Sequence, residues 1–225
     1  MLRSEKKETF EKPVAFPPEL KWKIWEFCGL NSSLAAVMKQ SQDALLPVLE
    51  LQKANVTLDP GTGNPWLTLS EDHKSVRCGV KPQFLPNNPE RFSHQTYVLG
   101  HEGFRGGRHF WEVVVEGEGS WSVGVARKSV RRKGPVASGS EDGVWDVGKW
   151  EGKYRGASLP SSTDFKLSEK TKRVRVCLNY TANQLAFYDA DTGDQIYLLS
   201  DLPFSGETVL PFFYVHGKGH LRISP

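Results

Sequence analysis

The stretch Phe104 to Arg127, FRGGRHFWEVVVEGEGSWSVGVAR, contains two strand patterns separated by a glycine-bearing turn. Trp111, Val113 and Val115 place a large apolar side chain at every second position, so one face of a strand is buried while Glu112 and Glu116 lie on the other. Trp121, Val123 and Val125 repeat the pattern. Between them Glu116-Gly117-Glu118-Gly119-Ser120 supplies a short connection in which glycine can take positive φ, and the whole reads as a central β-hairpin. The second strand is small on its other face, at Ser122, Gly124 and Ala126, which predicts close packing by another layer.

Outward from this stretch the chain stays β-like. Val56-Thr57-Leu58 precedes the turn-forming run Asp59 to Pro65, and Trp66, Leu67 and Leu69 open the next strand. Further short alternating runs occur at Ser75–Arg77, Thr96–Leu99, Val174–Tyr180, Leu185–Phe187, Ile196–Leu198, Leu210–Val215 and Leu221–Ile223. Many short strands without a βαβ rhythm predict an all-β, antiparallel two-sheet sandwich over residues 50–225. Upstream, residues 1–16 are charged and proline-interrupted and read as a flexible lead-in. Residues 17–49 read as two short helices: Leu20, Ile24 and Phe27 form one stripe, and Leu34, Val37, Met38 and Leu45 another.

Composition narrows the function. The 225 residues carry 21 Gly and 14 Pro, suited to turns, and a net charge of +3, too small to imply nucleic acid. Cys28, Cys78 and Cys177 are too scattered for a metal site or a disulfide framework. The start MLRSEKKETF has no apolar leader, and no run of about 18 apolar residues occurs, so a cytoplasmic protein without a membrane span is expected. Asn31, Asn55 and Asn179 match the glycosylation pattern and read as chance occurrences in such a protein.

No catalytic constellation emerges. His216 and His220 are separated by glycines, Gly103, Gly106 and Gly107 lack the Lys-Ser/Thr of a phosphate loop, and no Gly-x-Ser-x-Gly elbow is present. Neither cofactor nor metal is expected. The binding signal lies instead in Gly143 to Tyr154, where Trp150 and Tyr154 stand among glycines and charges in a loop-like setting, and exposed aromatic side chains are the usual anchors of interfaces. Trp145, in phase with Val147, reads as core as well as contact. The basic run Arg127, Lys128, Arg131, Arg132 and Lys133 reads as a solvated loop.

Three motifs then resemble those of the PRY-SPRY (B30.2) domain: Val56-Thr57-Leu58-Asp59-Pro60, Trp111-Glu112-Val113 after Gly106-Gly107-Arg108, and Leu178-Asn179-Tyr180 with Phe187-Tyr188. Ser129 to Gly134 adds to the match, whereas Asn179 stands where the family commonly has Asp. The preceding helices look like the linker between coiled coil and SPRY domain in tripartite-motif (TRIM) ubiquitin ligases. The resemblance implies a bent sandwich and a noncatalytic domain that selects protein or peptide partners for such a ligase, innate immunity being one setting. It implies dimerisation only if an upstream coiled coil exists, and it puts the binding surface on loops at one end of the sandwich. Arg105, Tyr214 and His216 join Trp150, Tyr154 and Trp145 as candidate contacts under that mapping. The alternative is a butyrophilin-like cytoplasmic sensor that holds a small phosphorylated ligand with Arg105, His109, Arg127 and His216.

Overall fold

The computed structural model describes residues 19, 22, 23, 51–138, 141–157, 162–164, 167 and 171–225. In chain order the strands are β1 (Leu51–Lys53), β2 (Leu67–Leu69), β3 (Ser75–Cys78), β4 (Tyr97–Leu99), β5 (Arg108–Glu116), β6 (Ser120–Arg127) and β7 (Val144–Trp150). They continue as β8 (Lys153–Ala157), β9 (Ser162–Asp164), β10 (Arg173–Asn179), β11 (Gln184–Asp189), β12 (Gln195–Leu199), β13 (Val209–His216) and β14 (His220–Ile223). One sheet runs β12-β11-β10-β5-β14-β3-β2 with β1 added against β5, and the other runs β4-β13-β6-β7-β8-β9. Among the described residues every strand pairing is antiparallel except β1 with β5. The expected antiparallel two-sheet sandwich is therefore present. The lead-in and the two expected helices lie outside the described residues, apart from Glu19, Trp22 and Lys23.

The central hairpin is not a hairpin. β5 and β6 belong to opposite sheets, and the chain between them arches over the core. A second arch, between β13 and β14, crosses beside it in the reverse direction, because Glu116 on β5 pairs with His220 and Ser120 on β6 pairs with His216. Alternation reported correctly that Trp111 and Trp121 face one core, but a face pattern does not say which strand is the hydrogen-bonded neighbour. The glycines are needed for the crossing. A Cβ at Gly117, whose φ is 83°, would lie 2.0 Å from the Lys218 carbonyl oxygen, and one at Gly119 would lie 2.2 Å from both the His216 carbonyl oxygen and the Gly219 nitrogen. Gly119→Ala is expected to cost about 1–3 kcal/mol, because backbone must move to admit the methyl group. Urea denaturation measures it, and a loss below about 0.5 kcal/mol would mean that the arches are not packed this closely.

Between the sheets lies the main core. Trp111, Val113 and Val115 from β5 meet Trp121, Val123 and Val125 from β6, joined by Trp145, Val176, Phe187, Phe213 and Leu221. The small face of β6 is packed as its residues predict. Gly124 and Gly148 admit the neighbouring strand's backbone to within 2.0 Å of where a Cβ would stand, and Ser122 and Ala126 are buried. A second core of Phe92, Tyr97, Leu99, Val130, Val136 and Phe212 covers that outer face. On the outer face of the other sheet, Trp22 packs on Cys177, Ala186 and Tyr188. There the Arg175 guanidinium lies 3.9 Å from the Trp22 ring centroid and 4.9 Å from that of Phe110, while its Nε donates to Glu112 at 2.8 Å.

Candidate functional site: an aromatic cavity at the β13 end

The stretch Gly143 to Tyr154 forms the β7–β8 hairpin, so Trp150 is the last residue of a strand and not part of an irregular loop. Glu151 and Gly152 both have positive φ, 48° and 84°, the geometry of a two-residue turn whose twist suits the flanking strands. Trp150 pairs with Lys153 across it, and the Glu151 N–H donates to the Ser120 hydroxyl at 3.2 Å. Strand alternation then sends Asp146, Gly148 and Trp150 to the outer face of the sheet. There the half-buried indole of Trp150 stacks on Tyr214, with ring centroids 6.1 Å apart and planes 15° from parallel.

Tyr214 also lines a cavity of about 620 Å³. Its walls are Trp66, Tyr214 and His216, with Cys78, Gln95 and Thr96 deeper and Gly79, His94 and Gly217 completing the lining. These residues arrive from the approach to β2, the end of β3, the segment before β4 and the end of β13. Cys78 and Thr96 both direct their side chains at the Val215 carbonyl, the sulfur at 3.3 Å. Burial pushes the Cys78 thiol and the Tyr214 hydroxyl above their ordinary pKa values, so both remain protonated and neutral. The cavity thus has an apolar, uncharged interior, without an ionised nucleophile.

Of the six side chains singled out from sequence, Trp150, Tyr214 and His216 come together here. Trp66 belongs with them and was missed as a contact. The sequence carried its signal: Leu67 and Leu69 share the core face, so Trp66 stands in phase with polar Thr68 on the other, and it is 45% exposed. Tyr154 lies across the ladder from Lys149, packs partly against the main core and receives the Lys149 ammonium at 5.8 Å from its ring centroid. Trp145 is fully buried, edge-on to Phe204 at 5.2 Å, with the Arg127 guanidinium over its ring at 5.3 Å from the centroid, and so offers no surface to a partner. Arg105 is exposed but lies at the far end of the sandwich, where its Nε donates to Thr208 and Phe104 bridges to Val209.

That distance also divides the four residues of a phosphate pocket: Arg105, His109 and Arg127 lie around Phe104, Thr208 and Val209, and His216 does not join them. Arg127 pairs with Val209 at one end of β13 and His216 stands at the other, roughly 23 Å away at strand rise. Arg127 is held by the Pro203 carbonyl, and His109 stacks on Phe104 at 4.3 Å, its pKa lowered by burial. The basic run is likewise more than a solvated loop. Arg132 is buried on the Phe92 ring at 4.9 Å, and the Lys133 ammonium donates to Asn87 Oδ1 and to the carbonyls of Asn88 and Arg91 at 2.7–2.9 Å. These cations tie loops together; Lys128 and Arg131 are exposed. Asn179 is buried opposite Arg108 across the β5–β10 ladder, and its Oδ1 accepts from the Ala182 N–H at 3.1 Å, within the fold and apart from the cavity.

Residues 56–104 match the model of PRY, the SPRY-associated domain, and residues 108–224 match the SPRY domain. The chain is 42% identical over 214 residues to the E3 ubiquitin-protein ligase TRIM15 of Sus scrofa, covering 94% of this chain and 46% of that protein. It is 39% identical to tripartite motif-containing protein 10 of Bos taurus, over 92% of this chain and 42% of the other. The zinc finger protein RFP of Homo sapiens is 35% identical, over 95% and 43%. The chain therefore spans less than half the length of these relatives. Among solved structures, the TRIM65 PSpry domain superposes with a TM-score of 0.67 at 20% identity, covering 77% of this chain and 91% of that one. Stonustoxin superposes with a TM-score of 0.67 at 27% identity, over 76% and 29%. On the sandwich, the ordered PRY and SPRY matches and these relatives, the chain belongs to the PRY-SPRY family, in a form like that of the tripartite-motif proteins.

Proposed function

We propose that this chain is the partner-selecting part of a tripartite-motif ubiquitin ligase acting in the cytoplasm, and that it holds its protein ligand at the aromatic cavity beside Trp150. SPRY domains bind proteins, and the ligase named among the relatives supplies the activity that such selection would serve. The observation that carries the reading is the convergence of Trp66, Tyr214, His216 and Trp150 at one end of the sandwich. Aromatic groups left partly open beside a cavity gain burial only when a partner arrives, which is where interface energy concentrates.

The test contrasts ends of the molecule. A partner captured on the chain and then titrated calorimetrically should bind Trp150→Ala about 30-fold more weakly, corresponding to about 2 kcal/mol. The loss of the Tyr214 stack should cost about 1 kcal/mol of stability. Trp66→Ala should weaken the same partner, and Arg105→Ala should leave it unchanged. Normal binding by both tryptophan variants, with loss on Arg105→Ala, would move the site to the opposite end.

A further inference from the structure

Resting on the reading of this cavity as the recognition site, we infer that its ligand is a protein segment presenting one large apolar side chain, aromatic or branched, with carboxylates beside it. The interior selects for the apolar group. Three of its polar atoms are already engaged: the Cys78 sulfur and Thr96 hydroxyl at the Val215 carbonyl, and Gln95 Oε1 by the Val136 N–H at 3.2 Å. A polar ligand group beside these three atoms would lose water without a new partner, whereas an indole, phenyl or isobutyl group gains by leaving water.

Charge at the mouth selects for the acid. Among the described residues, the nine that line the cavity include no carboxylate and two exposed histidines, His94 and His216. Exposed Lys81 follows the lining residue Gly79 by two positions, and exposed Lys218 follows Gly217. Through residues 77–96 the sole acid is Glu90, whose carboxylate lies 3.5 Å from the Arg132 guanidinium. Acids flank the other sides: Glu151 acts on Tyr214 from beyond Trp150, Glu116 is paired with His220 at 2.9 Å, and Glu118 stands between Gly117 and Gly119 on the arch packed against Lys218 and Gly219, so the ligand's carboxylates are directed toward Lys81. That same side adds apolar contact. Val80 and Phe84 are fully exposed, on a segment fastened beside Trp66 by the Gln83 N–H to the Pro65 carbonyl at 2.8 Å. An extended segment that inserts its apolar side chain meets these two on its way out.

The capped peptides Ac-DDWDD-NH2, Ac-KKWKK-NH2 and Ac-DDSDD-NH2 serve as probes, titrated into the isotope-labelled chain and followed by amide NMR shifts. The acidic tryptophan peptide should bind at least ten-fold more tightly than either of the others, with shifts centred on Gly79, Thr96 and Gly217. Trp66→Ala should remove at least ten-fold of that affinity. The double charge reversal Lys81→Glu with Lys218→Glu, confined to exposed side chains, should invert the preference toward the lysine peptide. Equal or tighter binding of the lysine peptide by the unaltered chain, an uninverted preference in the double variant, or no shift from the acidic tryptophan peptide at millimolar concentration overturns the inference. The recognition site itself is judged separately: if a captured partner still depends on Trp66 and Trp150 while these peptides fail, the site stands and the proposed ligand chemistry falls.

Discussion

Trp111→Ala is expected to lower folding stability by about 3–5 kcal/mol, the range for truncating a buried tryptophan. The side chain is 1% exposed in the middle of β5, the strand that pairs with β10 on one edge and with β1 and β14 on the other. Its ring stacks on Phe104 with centroids 5.8 Å apart, and Phe104 in turn stacks on His109. Three strands and a ring stack meet at this residue, so surrounding groups have little freedom to collapse into the space the indole leaves. The indole N–H has no hydrogen-bond partner among the described residues, so the loss is one of packing. Trp111→Phe should therefore retain most of the stability. Guanidinium unfolding of the two variants decides the matter: a cost below about 1 kcal/mol for alanine would mean that this face of β5 is not in the core.

The second large effect concerns pH. Asp146 is fully buried on the outer face of β7, and neither carboxylate oxygen meets a hydrogen-bond partner at bonding geometry among the described residues. Burial pushes its carboxyl up from 3.8 to about 6, with the nearby hydroxyls of Ser122 and Ser138 only partly opposing the rise. Between about pH 4 and pH 6 the folded protein therefore holds a proton that the unfolded chain has released. The stability from that proton is complete below about pH 4 and is lost as pH rises through 6. At 1.36 kcal/mol per pK unit, the loss is about 3 kcal/mol by pH 7.

Asp146→Asn removes the titrating proton while keeping the shape. Urea unfolding from pH 4 to pH 8 should show the stability difference, variant minus parent, rising by about 3 kcal/mol in favour of the variant, most of it between pH 4 and pH 6. A difference that stays flat across that window would show that Asp146 finds a partner and ionises normally. The position matters for the site, because Asp146 and Trp150 lie on the same face of one strand.

Several levels of this protein were legible without coordinates. Alternation at Trp111, Val113 and Val115, and again at Trp121, Val123 and Val125, fixed which side chains are buried, because a pleated strand sends successive residues to opposite faces. The small residues Ser122, Gly124 and Ala126 announced a strand covered on both faces. The three motifs and the absence of a βαβ rhythm placed the chain among antiparallel sandwiches. Aromatic residues in polar surroundings found Trp150, and the resemblance added Tyr214 and His216.

What the sequence left undetermined was pairing and proximity, both properties of distant segments. Whether Glu116 to Ser120 turns back within one sheet or crosses to another depends on its meeting with residues 216–220, about a hundred positions away in the chain. Trp145 and Trp150 are five residues apart in similar local sequence, yet one is sealed by Phe204 and Arg127 while the other ends its strand beside Tyr214. Arg105 and His216 looked equivalent as loop residues near strand ends, until the length of β13 put them at opposite ends of the sandwich. Local pattern decides which face a side chain takes, because that is set by backbone geometry within a few residues. The companions it meets there are set by the packing of the sheets, where segments far apart in the chain exclude water together.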